Sequence, residues 1–405
     1  MSPGALHVPG YKNRRMASHL GDFKHRRKRC DRSRHTGYMN RPFSPENLDK
    51  PTRIKGRGAA SNPEGRFESL TRTIEDDGWY RDDVDVSRPA TTVTIETARS
   101  IISRNNSPDI GFDQSINPYR GCEHGCVYCY ARPSHGYLNL SAGIDFETRL
   151  FAKTNAAALL RTELAKRSYV CSPINLGANT DPYQPIERKH RITRQILEVL
   201  LETRHPLTII TKNSMIERDV DLLAELAKHK LVHAFVSVTS LDNKLSSSLE
   251  PRASAPHRRL ETVANLNAAG VPCGVMVAPI IPFVTDQYLE RILEQAAAGG
   301  ANRAGYTILR LPWELKDLMR EWLDLHVPDR AERVMSNIRQ MRGGRDNDPN
   351  FGRRMRGEGV TADLIKQRFT ITSRKLGINK VRTNLDLDTT AFQPPRAESP
   401  QASLF

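Results

Sequence analysis

Three cysteines fall within eight residues, Cys122-Glu-His-Gly-Cys126-Val-Tyr-Cys129, directly after Asn117-Pro118-Tyr119-Arg120-Gly121. Gaps of three and two residues, with a glycine in the first, let one loop wrap three thiolates round a single centre. In a reducing compartment, where a disulfide framework is not sustained, metal or redox chemistry is the expectation for such a triplet. Two kinds of centre meet the donor count. A structural zinc site needs four closed ligands, so His124 or His135 would have to supply the fourth. An iron–sulfur cubane held by three cysteines leaves one iron open to an outside ligand.

The loop has to be carried by a scaffold. From about residue 110, short runs rich in Val, Ile and aromatic residues occur at 174–178, 207–211, 234–239, 272–279 and 305–309. They alternate with amphipathic stretches at 155–166, 192–203, 215–227, 258–268 and 287–298. The runs start 27 to 38 residues apart, the length of a βα unit. A strand just before Asn117 and a helix after Pro312 bring the count to roughly six units. Parallel strands joined by right-handed crossovers form an open doubly wound sheet or an incomplete barrel, and in both the chemistry belongs at the C-terminal ends of the strands. The cysteine loop follows the first of those strands.

The spacing of the triplet, with the aromatic Tyr128 before the third cysteine, resembles that of the radical S-adenosylmethionine (SAM) enzymes. Further along, Gly177-Ala178-Asn179-Thr180-Asp181, Thr211-Lys212-Asn213, Ser237-Val-Thr239 and Val277-Ala278-Pro279-Ile280 end successive strands, and Glu250-Pro251-Arg252 precedes the helical stretch at 258. In that order they resemble the spore photoproduct lyases and their relatives over roughly residues 110–310.

The resemblance implies an α/β fold with an incomplete (β/α)6 barrel, a [4Fe-4S] cluster on Cys122, Cys126 and Cys129, and SAM held on the open iron by its amino and carboxylate groups. It further implies an external electron donor, cleavage of a carbon–sulfur bond of SAM, and a 5′-deoxyadenosyl radical that takes hydrogen from an unactivated carbon. Lys212 is expected to reach the SAM carboxylate. Asn179, Thr180 and Asp181 are expected to receive its amino group or ribose, and Tyr128 and Ser237 to contact the same cofactor. Glu250 and Arg252 could pair and close the site, or brace a loop. The lyases carry a cysteine at the end of the second strand that returns hydrogen to the substrate, whereas this chain has Ala178 there. Cys171, Tyr183 and Cys273 are the candidates to replace it.

The chain has 405 residues and a net charge of +15, unevenly placed. Residues 1–60 carry 15 basic and 4 acidic side chains, residues 339–382 carry 12 and 4, and the stretch between is close to neutral. Residues 1–105 lack a sustained apolar period and read as a basic, largely disordered or extended arm. Residues 106–326 form the βα core, 327–385 a basic extension with a helix at 361–376, and 386–405 a Pro-rich tail. The arginines interleaved with glycine between 339 and 357, Arg353, Arg354 and Arg356 among them, suit either a phosphate backbone or a lid packed over the open side of the barrel.

The last five residues, Gln401-Ala-Ser-Leu404-Phe405, are similar to the peptide by which bacterial DNA polymerases and repair proteins dock on the replicative sliding clamp. No apolar run reaches about 18 residues and no signal-peptide core opens the chain, so a cytoplasmic protein without a membrane anchor is expected. The leading reading is a radical SAM enzyme that repairs or modifies DNA or another nucleic acid. A protein or small-metabolite substrate would leave the flanking arginines unexplained. A non-catalytic metal- or nucleic-acid-binding protein would leave the pattern of Thr180, Asp181 and Lys212 unexplained.

Overall fold

The computed structural model describes residues 53–67, 89–380 and 385–395, all within one unit, Pro51–Phe405. Most of the basic N-terminal stretch and the C-terminal peptide with Gln401, Leu404 and Phe405 lie outside the described residues. In chain order the strands are β1 (Thr92–Glu96), β2 (Ile102–Arg104), β3 (Gln114–Ile116), β4 (Tyr119–Arg120), β5 (Arg149–Lys153), β6 (Ile174–Leu176), β7 (Leu207–Thr211), β8 (Val232–Ser237), β9 (Cys273–Ile280) and β10 (Ala304–Ile308).

β3 and β6 to β10 lie side by side in sequence order and all run parallel, with β2 added antiparallel to β3. The helices Ala156–Leu164, Ile192–Glu202, Val220–Lys228, Pro256–Ala268 and Leu289–Ala298 connect them. The five predicted strands are found within two residues of their expected bounds. Ile174, Leu176, Leu207, Ile209, Val236 and Val275 are fully buried, as side chains must be in a parallel sheet covered on both faces. The helix after Pro312, Leu315–His326, buries Leu315, Leu318, Met319, Trp322 and Leu323, a stripe of period 3.6 turned to the core.

Two expectations need correcting. The stretch 215–227 is not one helix but a 3-10 turn, Ser214–Asp219, followed by Val220–Lys228. Asn213 caps the turn by accepting from Met215 N–H at 3.0 Å, and the buried Asp219 is held by Arg194 at 3.0 Å and Arg218 at 2.6 Å, so the chain is pinned before the helix starts. In the stretch read as an arm, β1 pairs parallel with β5, which pairs antiparallel with β4. Thr92-Val-Thr-Ile-Glu96 is a β-branched, alternating segment, and that signal was there to be read.

The large sheet does not close on itself, because β2 and β10 are its edges. The basic extension lies across that opening. On one side Ile308 N–H donates to the Met355 carbonyl at 3.0 Å, and the Arg356 guanidinium stacks 3.8 Å from the Tyr306 ring. On the other side Gly352 N–H and the Arg354 guanidinium donate to Asp109 at 2.6 and 2.5 Å, in the loop after β2. The buried Arg342 donates to the carbonyls of Leu309, Arg353 and Arg354 at 2.9, 3.0 and 2.7 Å, and Arg353 pairs with Glu358 at 3.0 Å. Arg342 and Arg354 are engaged within the fold while Arg353 and Arg356 remain exposed, and the segment that carries them lies over the opening as a lid would. Among the described residues no helix is long and apolar enough to cross a membrane.

Two histidines of the sheet's N-terminal side make stability depend on pH. Burial pushes the pKa of His205 down to about 4 against the opposing bond to the Pro206 carbonyl, and burial does the same for His233. The unfolded chain protonates such rings near pH 6.5. It therefore binds more protons than the folded chain between about pH 6.5 and 4, and stability falls as pH falls through that window. The thermal midpoint at pH 5 should lie below that at pH 7. Equal midpoints, or no upward shift at pH 5 on replacing His205 and His233 by Gln, would show that the rings protonate in place.

Candidate active site

The cysteine loop leaves the sheet just beyond β3 and is folded by its own backbone. Cys122 N–H donates to the Phe146 carbonyl at 2.9 Å, Gly125 N–H to Cys122 and Cys129 N–H to Cys126 at 3.2 Å each, and Val127 N–H to Leu249 at 3.0 Å. Cys122 and Cys126 are buried, Cys129 is partly buried, and none is in a disulfide. Burial pushes the Cys122 thiol well up, and the neighbouring Asp181, Cys126 and Cys129 push it further. Burial raises Cys126 as well, but the ammonium of Lys212 opposes it. Thiols that repel one another as thiolates and face a cation form a donor set that a cationic centre would stabilise.

The donors fit a cluster better than zinc. Among the described residues no group of three or more His, Cys, Asp or Glu side chains gathers closely enough to hold one metal ion. Zinc requires four donors within about 2.3 Å of one point, whereas the thiolates of a cubane bind different irons and need no such convergence. Both histidines are also engaged elsewhere. His124 lies with Nδ1 3.2 Å from the Asp181 carboxylate and Nε2 3.1 Å from the Asn213 amide, and His135 Nε2 is 3.0 Å from the Arg149 carbonyl.

Two buried ion pairs hold the loop from either side. Arg132, wholly buried, donates to the carbonyls of Gly125 (3.1 Å), Cys126 (2.8 Å), Ala142 (3.0 Å) and Gly143 (2.9 Å) and pairs with Glu147 at 2.5 Å. Glu147 in turn accepts from Gly58 N–H at 3.0 Å and Ala59 N–H at 2.8 Å. A Cβ on Gly58 would come within 1.8 Å of the Gly125 carbonyl, so only glycine lets this segment lie against the cysteine loop. On the other side, Glu250 accepts from the Tyr128 phenol, from Thr239 Oγ1 at 2.8 Å and from Arg259. The expected partner of Glu250 was Arg252, which instead pairs with Glu123 at 2.9 Å; the buried cation Arg259, one helical turn into Pro256–Ala268, takes its place.

The strand ends deliver the other expected residues unevenly. Lys212 follows β7 with its ammonium 5.9 Å from the Tyr128 ring centre, and no carboxylate pairs with it among the described residues. Ser237 ends β8, buried, and its carbonyl accepts from Arg259 at 3.1 Å. Asn179 is exposed. Thr180 is turned inward, its hydroxyl donating to the Tyr119 carbonyl at 3.1 Å. Asp181 accepts from Tyr183 N–H (2.9 Å), Thr211 Oγ1 (2.6 Å) and Lys212 N–H (2.7 Å), and His124 Nδ1 stands 3.2 Å from it. Burial raises its pKa, yet those donors outweigh burial and bring it to about 2. With these partners, Thr180 and Asp181 brace the loops that present Lys212.

Of the three hydrogen-donor candidates, the two cysteines lie away from the triplet. Cys273 is fully buried at the first residue of β9 and Cys171 precedes β6, so both lie at the N-terminal ends of strands, opposite the loop. Tyr183 is fully buried among Asp219, Arg218 and Glu187. The sequence reading overlooked Tyr130, which directly follows the third cysteine. Its phenol donates to the Ala178 carbonyl, and the Arg310 guanidinium stands 5.9 Å from its ring. A cavity of about 710 Å³ lies elsewhere, lined by Arg57, Gly58 and Pro251 among others, and includes neither the cysteines nor Lys212.

Comparison with known proteins places this geometry in a family. The family model of the Radical SAM superfamily matches residues 116–296. The uncharacterised protein Rv2578c of Mycobacterium tuberculosis is 37% identical over 267 residues, 65% of this chain and 77% of that protein. The uncharacterised protein MJ0683 of Methanocaldococcus jannaschii is 27% identical over 171 residues, 42% of this chain and 61% of the other. Among solved structures, spore photoproduct lyase complexed with dinucleoside spore photoproduct superposes with a TM-score of 0.51 at 14% identity, covering 71% of this chain and 80% of that one, a likeness of fold.

Proposed function

The chain belongs to the radical SAM superfamily, and from that we propose that it is an enzyme acting on a nucleic acid, with Cys122, Cys126 and Cys129 holding its [4Fe-4S] cluster. The observation that carries the reading is the cysteine triplet, with the ammonium of Lys212 acting on Cys126 and having no carboxylate partner among the described residues. When bound, the reduced cluster and SAM supply a 5′-deoxyadenosyl radical able to take hydrogen from carbon. Lys212 takes the carboxylate of SAM in a charge-assisted bond. Ser237 and the exposed Asn179 offer polar contacts to the same molecule, and Asp181 and Thr180 hold their loops in place. An external reductant delivers the electron.

A nucleic acid is favoured over a metabolite by three features. The first 60 residues carry 15 basic and 4 acidic side chains, which suit a phosphate backbone. The terminal peptide with Gln401, Leu404 and Phe405 suits a sliding clamp, which would bring the chain to DNA. The fold is similar to that of spore photoproduct lyase, solved in complex with dinucleoside spore photoproduct. Anaerobically reconstituted protein, given dithionite and SAM, should release 5′-deoxyadenosine faster with DNA or RNA than with peptide. Oligonucleotide binding should weaken steeply as salt rises. Stimulation by peptide but by no nucleic acid, or binding indifferent to salt, would sink the nucleic-acid reading and leave the radical chemistry standing.

A further inference from the structure

Three large aromatic side chains stand exposed together on the described surface. Phe67, Tyr137 and Trp313 are 50%, 71% and 61% exposed. They come from separate parts of the chain: the end of the segment 53–67, the 3-10 helix Arg132–Leu138 after the cysteine loop, and the turn that follows β10. One cation gathers them. The Arg66 guanidinium lies 4.1 Å from the Trp313 ring centre, 4.8 Å from that of Phe67 and 5.4 Å from that of Tyr137, and the Phe67 and Tyr137 rings are themselves 5.2 Å apart.

Each partner is held in position. Glu314 accepts from Arg66 N–H at 3.3 Å and faces its guanidinium at 3.9 Å. Trp313 takes a left-handed backbone, φ 49°, which is rare for a bulky side chain and is kept where the surroundings impose it. A soluble fold ordinarily buries such rings, so an ordered, exposed group of three with a cation among them marks a surface for a ligand. A cation stacked among exposed aromatic rings suits flat unsaturated ligands that also carry negative charge.

We propose that Phe67, Tyr137 and Trp313, gathered by Arg66, form a stacking platform for unpaired nucleobases of a single-stranded nucleic acid. The inference rests on the nucleic-acid reading above and names the form of the substrate. Bases offer a π face whatever their sequence. In the chain, two of the platform's rings come from segments next to the cysteine loop and to the end of β10. Tyr137 follows Cys129 by eight residues, and Trp313 follows Arg310 by three, whose guanidinium stands over Tyr130. Bases stacked there would anchor the strand beside the site and leave a neighbouring nucleotide free to enter it. A duplex keeps its bases stacked on one another and cannot use the platform.

The test is fluorescence anisotropy of a labelled 12-nucleotide single strand, and of the same sequence as a duplex, titrated with the full chain at fixed salt. The single strand should bind more tightly than the duplex. Trp313→Ala and Tyr137→Ala should each weaken single-strand binding by about tenfold, as loss of one stacked base implies, and leave duplex binding unchanged. Trp313→Phe should restore most of the affinity. Thermal melts of each variant separate lost contact from lost folding, and Tyr137→Ala, on the most exposed ring, serves if Trp313→Ala fails to fold. If single strands bind and both alanine variants bind them equally well, the platform is overturned while the nucleic-acid reading stands. If neither form of DNA nor an RNA strand binds, the nucleic-acid reading falls and the platform with it.

Discussion

Replacing Cys122, Cys126 and Cys129 together by Ala is expected to abolish release of 5′-deoxyadenosine and to leave a folded protein. The two halves of that result have different causes. Without the cluster no electron reaches SAM, so turnover falls to background, whatever the substrate. The fold survives because the cysteines behave as small buried side chains when no cluster is bound. Cys122 packs with Ala131 and Phe146, and the loop's shape is set by backbone bonds and by Arg132, none of which uses sulfur. Reconstituted wild type should carry about four irons and four sulfides per chain, and the triple variant none. Zinc bound by the wild type without iron would refute the cluster, and deoxyadenosine released by the triple variant would refute these residues as its ligands. Lys212→Ala should keep the iron yet lose SAM binding, a separation expected only if the ammonium serves SAM rather than the thiolates.

Local pattern explains what the sequence revealed. Spacing alone singled out the triplet, and apolar periodicity located the parallel strands, because a strand buried on both faces has to be a short apolar run. Residues whose partners are distant in sequence could not be assigned those partners from the sequence. Glu250 and Arg252 look like a pair in sequence, yet Glu250 is turned inward to Arg259 and Arg252 outward to Glu123. Asp181 looks like a ligand at a strand end, but its oxygens are engaged by Thr211, Lys212, Tyr183 and His124. The glycine-rich arginines suited a phosphate backbone or a lid, and the structure adds the partners that Arg342, Arg354 and Arg356 have at the open edges of the sheet. A buried arginine carries no sequence signature, which is why Arg132 went unnoticed.

Arg132→Ala is expected to cost about 3 to 5 kcal/mol of folding stability, the penalty for leaving one member of a buried ion pair alone. Both Arg132 and Glu147 are fully buried, so no solvent screens the loss. Truncation removes the cation from Glu147 and strips the buried carbonyls of Gly125, Cys126, Ala142 and Gly143 of their donor. Against a total of about 5 to 15 kcal/mol, this is a large share. The loss should fall hardest on the cysteine loop, because two of those carbonyls lie inside it, so iron loading should drop even at temperatures where the variant is folded. Arg132→Lys should recover only part of both, since one ammonium cannot reproduce the forked set of bonds. Combining Arg132→Met with Glu147→Gln should recover stability beyond Arg132→Ala, because the stranded charge is gone and the amide oxygen can still accept from Gly58 and Ala59. Denaturant unfolding and iron content of the four proteins decide the matter. An Arg132→Ala chain as stable as wild type would mean that the pair contributes nothing, and a destabilised chain that still loads iron fully would mean that the loop keeps its shape without Arg132.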